Sequence, residues 1–137
     1  MTKFTTTFAI LALTAGPALA EQHMDRENMI RTRDITGGNV YSMVDPEPWD
    51  ASTMYDGVAE TWNDIGEIED IILDRNGQMT GVVAEIGGFL DIADKHVVVP
   101  IDNVRLVPSD DRTYAVLVNM TEQQLVDLPG VDEGFWD

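Results

Sequence analysis

The chain of 137 residues carries 25 Asp and Glu against 8 Lys and Arg, a formal net charge of −17, and has no Cys. That length suits one small domain, and the acidity disfavours nucleic acid and anionic membrane surfaces, which require a basic face. The lack of cysteine excludes a disulfide framework, a thiolate metal site and a thiol nucleophile, while 44% hydrophobic residues suffice to bury a core.

In chain order, residues 1–20 (MTKFTTTFAILALTAGPALA) read as a secretory leader. Lys3 supplies the positive start, residues 8–13 a short apolar run, Pro17 a break, and Ala18-Leu19-Ala20 a cleavage site with the cut after Ala20. A membrane span needs about 20 apolar residues, and Thr5, Thr6, Thr7 and Thr14 interrupt this one. The mature chain is therefore predicted to start at Glu21, to be periplasmic or secreted, and to have no membrane span after cleavage. Residues 21–28 (EQHMDREN) are polar and aperiodic, a flexible N-terminal arm.

The folded domain is placed at 29–129. Gly37-Gly38 marks a turn, and residues 39–44 a first short strand. Residues 45–63 (DPEPWDASTMYDGVAETWN) form a Pro- and Asp-rich loop with room for one helical turn at 53–61. Residues 65–73 (IGEIEDIIL) alternate as a strand, with Ile68 and Ile72 on one face and Ile71 and Leu73 on the other. Asp74-Arg75-Asn76-Gly77 carries the Asn-Gly signature of a hairpin, and residues 78–86 return from it. Gly87-Gly88 bends the chain so that Phe89 can turn inward. Residues 97–99 form the next strand, closed by Pro100. Residues 101–107 continue extended, and 113–119 form the last strand. Thr121 with Gln124 is a capping box, Met120 and Leu125 a hydrophobic staple, and Pro129-Gly130 ends the resulting helix. Residues 130–137 are an acidic tail. Short strands with tight turns and no βαβ alternation give an all-β fold, a small antiparallel β-barrel with one short C-terminal helix.

The run from Ile65 to Val107 resembles the PRC-barrel family, named for the globular barrel of the photosynthetic reaction-centre H subunit. The features that carry the likeness are Ile65-Gly66, Ile68-Glu69-Asp70, Asp74 and Gly77, Val82-Val83, Gly87-Gly88-Phe89-Leu90 and Val98-Val99-Pro100. Residues 30–41 look like the family's first strand and 121–129 like its closing helical turn, whereas 45–63 is an insertion. The resemblance implies a PRC-barrel-like, non-enzymatic binding or assembly module for another protein or for self-association, and the predicted leader makes it an expected envelope protein. The predicted export signal argues against the ribosome-linked role of some family members.

No catalytic residue, cofactor or metal ligand is assigned. Twenty-five acids always offer some pair resembling a general acid and base, so a carboxylate-based hydrolase remains the competing enzyme class, and an acidic divalent-ion or small-ligand binding protein a third. Asp74–Gly77 mimics part of a calcium loop, but Ile72 takes its first ligand position and Val83 its terminal one, so it reads as a turn. His23 and His96 are the only histidines, and a transition-metal site would need both plus carboxylates. The candidate site residues are Trp49, Tyr55 and Trp62 of the insertion. They either plug one end of the barrel or form a partner-contact patch, since aromatics concentrate at interface hot spots.

Overall fold

The computed structural model describes residues 25–88 and 93–131. The leader at 1–20, residues 21–24 of the arm, Phe89 and its neighbours to 92, and the tail at 132–137 lie outside the described residues.

Six strands form one sheet: β1 (Asn39–Ser42), β2 (Asn63–Leu73), β3 (Met79–Ile86), β4 (Lys95–Pro100), β5 (Val104–Pro108) and β6 (Tyr114–Val118), followed by α1 (Glu122–Asp127). Their order is β4-β3-β2-β1-β6-β5. The fold is thus β-dominated and PRC-barrel-like with one short C-terminal helix, but the expected all-antiparallel pairing needs correction, because β1 and β6 run parallel. The cause lies in the three-residue 3-10 turn Ile101–Asn103 between β4 and β5. It bends the chain without reversing it, so β5 keeps the direction of β4 while joining the opposite edge of the sheet. The antiparallel β4-β3-β2-β1 pairings and the β5-β6 hairpin then leave β1 and β6 pointing the same way. Two edge strands joined by so short a turn require the sheet to curl on itself, although no ladder seals β4 to β5 among the described residues.

The curl encloses a core of Val40, Ile65, Ile68, Val82, Ala84, Ile86, Val97, Val99, Val104, Val116, Val118 and Leu125, with Ile35 at its margin. In β2 the core residues do not follow the simple alternation expected. Ile65 and Ile68 are fully buried and Ile71 packs against the same cluster, a spacing of three. Irregular registers explain it: Ile65 is skipped between Val40↔Gly66 and Tyr41↔Asp64, and Glu69 between Ile68↔Ala84 and Asp70↔Val83. Each extra residue restores the apolar side chain to the inner face, as a β-bulge does. Leu73 is left 51% exposed.

The β2–β3 hairpin turns one residue earlier than its Asn-Gly pair suggests. Gly77 N–H donates to Asp74 O (3.0 Å), centring the turn on Arg75-Asn76, and Gly77 follows in the left-handed region at φ 82°. The Asp74 carboxylate accepts from the Asn76 and Gln78 amides at 2.8 and 3.0 Å, which accounts for an acid at that position without a calcium ion.

Helix α1 has only six residues, so its ends matter. Thr121 Oγ1 accepts from Gln124 N–H (3.1 Å), and Gln124 Oε1 accepts from Thr121 N–H (2.9 Å). At the other end Lys95 Nζ donates to Val126 O (2.7 Å) and to Leu128 O, placing a cation where helix carbonyls lack partners. Beyond the helix, Val131 N–H donates to His96 O (2.8 Å) and Gly130 bridges Val97, so the free edge of β4 is partly covered.

Candidate binding site

Alternation assigns the outward side chains. Val40, Val116 and Val104 face the core, so Tyr41, Leu117 and Arg105 face outward, and register places them in one row across β1, β6 and β5. The β1–β2 connection, residues 43–62, holds the proposed insertion 45–63 except Asn63, the first residue of β2, and stacks on this row. Tyr41 meets Trp62 (centroids 6.4 Å apart), Trp62 meets Tyr55 edge-on (5.2 Å), and Tyr55 meets Trp49 (6.4 Å). Arg105 closes the series, its guanidinium carbon 4.6 Å from the Trp49 ring centroid. Leu117, 0% exposed, lies between Tyr41 and Arg105.

Arg105 also fixes the backbone of the connection. Its Nε donates to Thr53 O (3.2 Å), Nη2 to Asp50 O (2.7 Å) and Nη1 to Val104 O (2.8 Å). Trp49 adds Nε1–H to Asp102 O (3.0 Å). Within the loop, Asp50 Oδ1 accepts from the Ser52 hydroxyl (2.5 Å) and the Ser52 amide (2.8 Å), and Thr53 Oγ1 accepts from Asp50 N–H (3.0 Å). The Ser52 donors, foremost its hydroxyl, with a smaller contribution from Arg105, hold the Asp50 carboxyl below its usual range. No helix forms at 53–61; the chain there makes isolated turns instead.

The structure therefore brings Trp49, Tyr55 and Trp62 together, each half-buried. They form an aromatic wall pinned to the outside of the sheet, not a plug in the end of the barrel. Beside this wall a groove opens, lined by Ile30, Met54, Tyr55, Ile101, Leu106 and Tyr114 among others. Met54 is 86% exposed on it. Acidic Glu27, Asp56 and Asp102 stand at the same groove, all exposed. Sequence reasoning missed Arg105 as the anchor. The available signal was an arginine at an outward position between Val104 and Leu106, a cation available to an aromatic loop.

A second cluster occupies the outward face of β2, β3 and β4. His96 pairs in register with Glu85, and Glu69, the extra residue of the β2 bulge, reaches the same place. His96 Nε2 lies 3.1 Å from Glu85 Oε2 and 3.5 Å from Glu69 Oε1. One imidazole and two carboxylates thus converge here, without the second histidine. The signal was unreadable beforehand, since it depends on a bulge that the alternation of residues 65–73 conceals.

No curated protein matches the chain. Residues 58–121, from the end of the β1–β2 connection to the N-cap of α1, match the family model of the PRC-barrel domain. Trp49, Met54 and Tyr55 precede the matched stretch, while Trp62, Glu69, Glu85, His96 and Arg105 fall within it. The matched residues 58–121 hold the bulged β2, the hairpin and the bent β4–β5 passage, and over that stretch the resemblance to the PRC-barrel domain family is shown.

Proposed function

We propose that this protein is an exported, non-enzymatic binding module of a bacterial envelope, and that its β1–β2 connection contacts a basic protein segment bearing an apolar side chain. A PRC-barrel domain suggests a binding or assembly role. The observation that carries the finer reading is Met54. It is almost fully exposed on an apolar groove, yet it belongs to a loop that Arg105 holds in place. A preorganised loop loses little freedom on binding, so an exposed apolar anchor on it contributes more of its contact energy to affinity. The acidic rim and the net charge of −17 favour a basic partner and oppose a second copy of the same chain at low salt. The non-enzymatic reading is supported by an interior filled with Ile, Val, Leu and Ala. It is also supported by Asp34, Asp50 and Asp110, whose pKa values are lowered by hydrogen-bond donors, whereas a general acid needs the opposite shift. Export rests on the leader pattern ending at Ala20.

The test is capture from envelope extract with the wild-type chain and Met54→Asp, at low and high salt. The reading requires a basic protein that Met54→Asp fails to retain and that salt weakens, with the variant melting as the wild type does. Capture that ignores Met54, or no capture above a bare-resin control, overturns it.

A further inference from the structure

We propose that His96, Glu85 and Glu69 form a binding site for a divalent cation of the zinc class, on the outward face of β2, β3 and β4. The donor atoms of the three residues all lie within 4.8 Å of one another. Bonds of about 2.0–2.2 Å from an ion to imidazole nitrogen or carboxylate oxygen place neighbouring donors about 3.0–3.5 Å apart. The two distances from His96 Nε2, 3.1 and 3.5 Å, already have that spacing.

The backbone supplies two of the three ligands by direct register and the third by an irregularity. Glu85 and His96 are cross-strand neighbours, and Glu69 is the residue without a partner at the bulge. Bulges re-aim side chains in this way.

Charge points the same way. Glu67 stands opposite Glu85 in the β2–β3 register, adding a third carboxylate to the row, and like charges facing each other across strands destabilise a sheet. Among the described residues the only basic group within ion-pair distance of Glu69 or Glu85 is His96 itself. Lys95, next along the chain, is turned to the carbonyls at the end of α1. A neutral imidazole offers Nε2 as either one N–H or one lone pair. As one N–H it can serve at most one of the two carboxylates and leaves the other without a partner. As a lone pair it joins both carboxylates round a cation.

The imidazole selects the class of ion. Calcium and magnesium prefer all-oxygen shells, whereas a mixed nitrogen and oxygen set suits zinc and its first-row neighbours. All three side chains are partly exposed, so the remaining coordination positions would be filled by water.

The test is calorimetric titration of zinc into the full chain, prepared without a histidine tag, with His96→Ala, Glu69→Gln and His23→Ala alongside. One zinc per chain is expected. Loss of a supporting partner around a metal already costs about 10–100-fold in affinity, so removing a ligand should weaken binding at least about tenfold. His96→Ala and Glu69→Gln should each show that loss while melting as the wild type does, and His23→Ala should bind normally. Undiminished binding by His96→Ala, binding lost in His23→Ala, no zinc binding at all, or displacement by an equal concentration of calcium each overturns the site.

Discussion

Arg105 stands over the indole of Trp49, 4.6 Å from the ring centroid, while its Nη2 donates to Asp50 O, the carbonyl of the very next residue. One side chain thus grips both the ring and the backbone of the β1–β2 connection. The grip depends on the planar fork of guanidinium, which a lysine cannot reproduce. Arg105→Lys should therefore free the connection while leaving the core intact. A cation–π contact and charged hydrogen bonds together support a stability loss of about 2 kcal/mol. Limited proteolysis should cut the variant within residues 45–63 before the wild type, and tryptophan emission should shift to the red. Equal proteolytic resistance would mean that Arg105 is incidental to the loop.

Lys95 ties β4 to the end of α1 through Val126 O and Leu128 O. Lys95→Met keeps most of the aliphatic stem and removes both donors. The expected cost is about 1–3 kcal/mol, the range for leaving polar groups unpartnered. The denaturation midpoint measures it. A much smaller change would show that water replaces the ammonium freely.

Gly66 lies where β2 bulges against β1, and it pairs with Ile86 of β3. A Cβ there would stand 1.8 Å from Glu85 O and 2.9 Å from Glu85 C, both backbone atoms that no rotamer can move. Gly66→Ala should cost roughly 3 kcal/mol or more, as severe overpacking does. Gly77→Ala provides the contrast. Nothing lies within 4 Å of its Cβ, and only its φ of 82° opposes the change, so about 1 kcal/mol is expected from left-handed backbone alone. Chemical denaturation of the two variants should reproduce that order.

How much of this was legible beforehand follows the range of the interactions. The capping box at Thr121 and Gln124 is local and was readable from residues three apart. The strands of the β2–β3 hairpin were readable from their apolar runs. The parallel β1–β6 pair was not, because it follows from Ile101–Asn103 bending instead of reversing the chain. Nor were Ile65, Ile68 and Ile71 as one inward set, because period-two reasoning assumes an unbroken register. At the candidate site the aromatics of the loop were visible in the sequence, but their anchor was not: Arg105 contacts residues more than 50 positions away. The His96 cluster combines both difficulties, a cross-strand pair and a bulge.

The Asp50 carboxyl, held below its usual range chiefly by the Ser52 hydroxyl and then by the Ser52 amide, gives the connection a pH dependence with a definite sign. A depressed folded-state value contributes stability above the ordinary carboxyl range, and that contribution disappears as pH falls through the folded value. Trp49 emission should therefore be constant from neutral pH down to about pH 4, the ordinary carboxyl range, and change below it. Asp50→Asn can still accept from Ser52 but has no proton to gain, so that part of the acid transition should vanish. An unchanged transition in the variant would assign it to other acids.

Trp49 and Met54 lie five residues apart in one loop, and their substitution separates the structural contribution of the loop from its contact with a partner. Trp49 is half-buried, receives Arg105 on its face and donates to Asp102 O. Full truncation of a buried aromatic costs about 3–5 kcal/mol, so a half-buried one held by a hydrogen bond should cost about 2 kcal/mol. Met54 is 86% exposed, and a surface substitution usually stays within about 0.5 kcal/mol. Trp49→Ala should thus lower the melting temperature and weaken partner capture together, because it releases the loop. Met54→Ala should leave melting unchanged and weaken capture alone, because it removes a contact from a loop still in place. Were Trp49→Ala to melt as the wild type does, the aromatic wall would carry no structural weight. Were Met54→Ala to capture as well as the wild type, the groove would lose its proposed role while the wall kept its own.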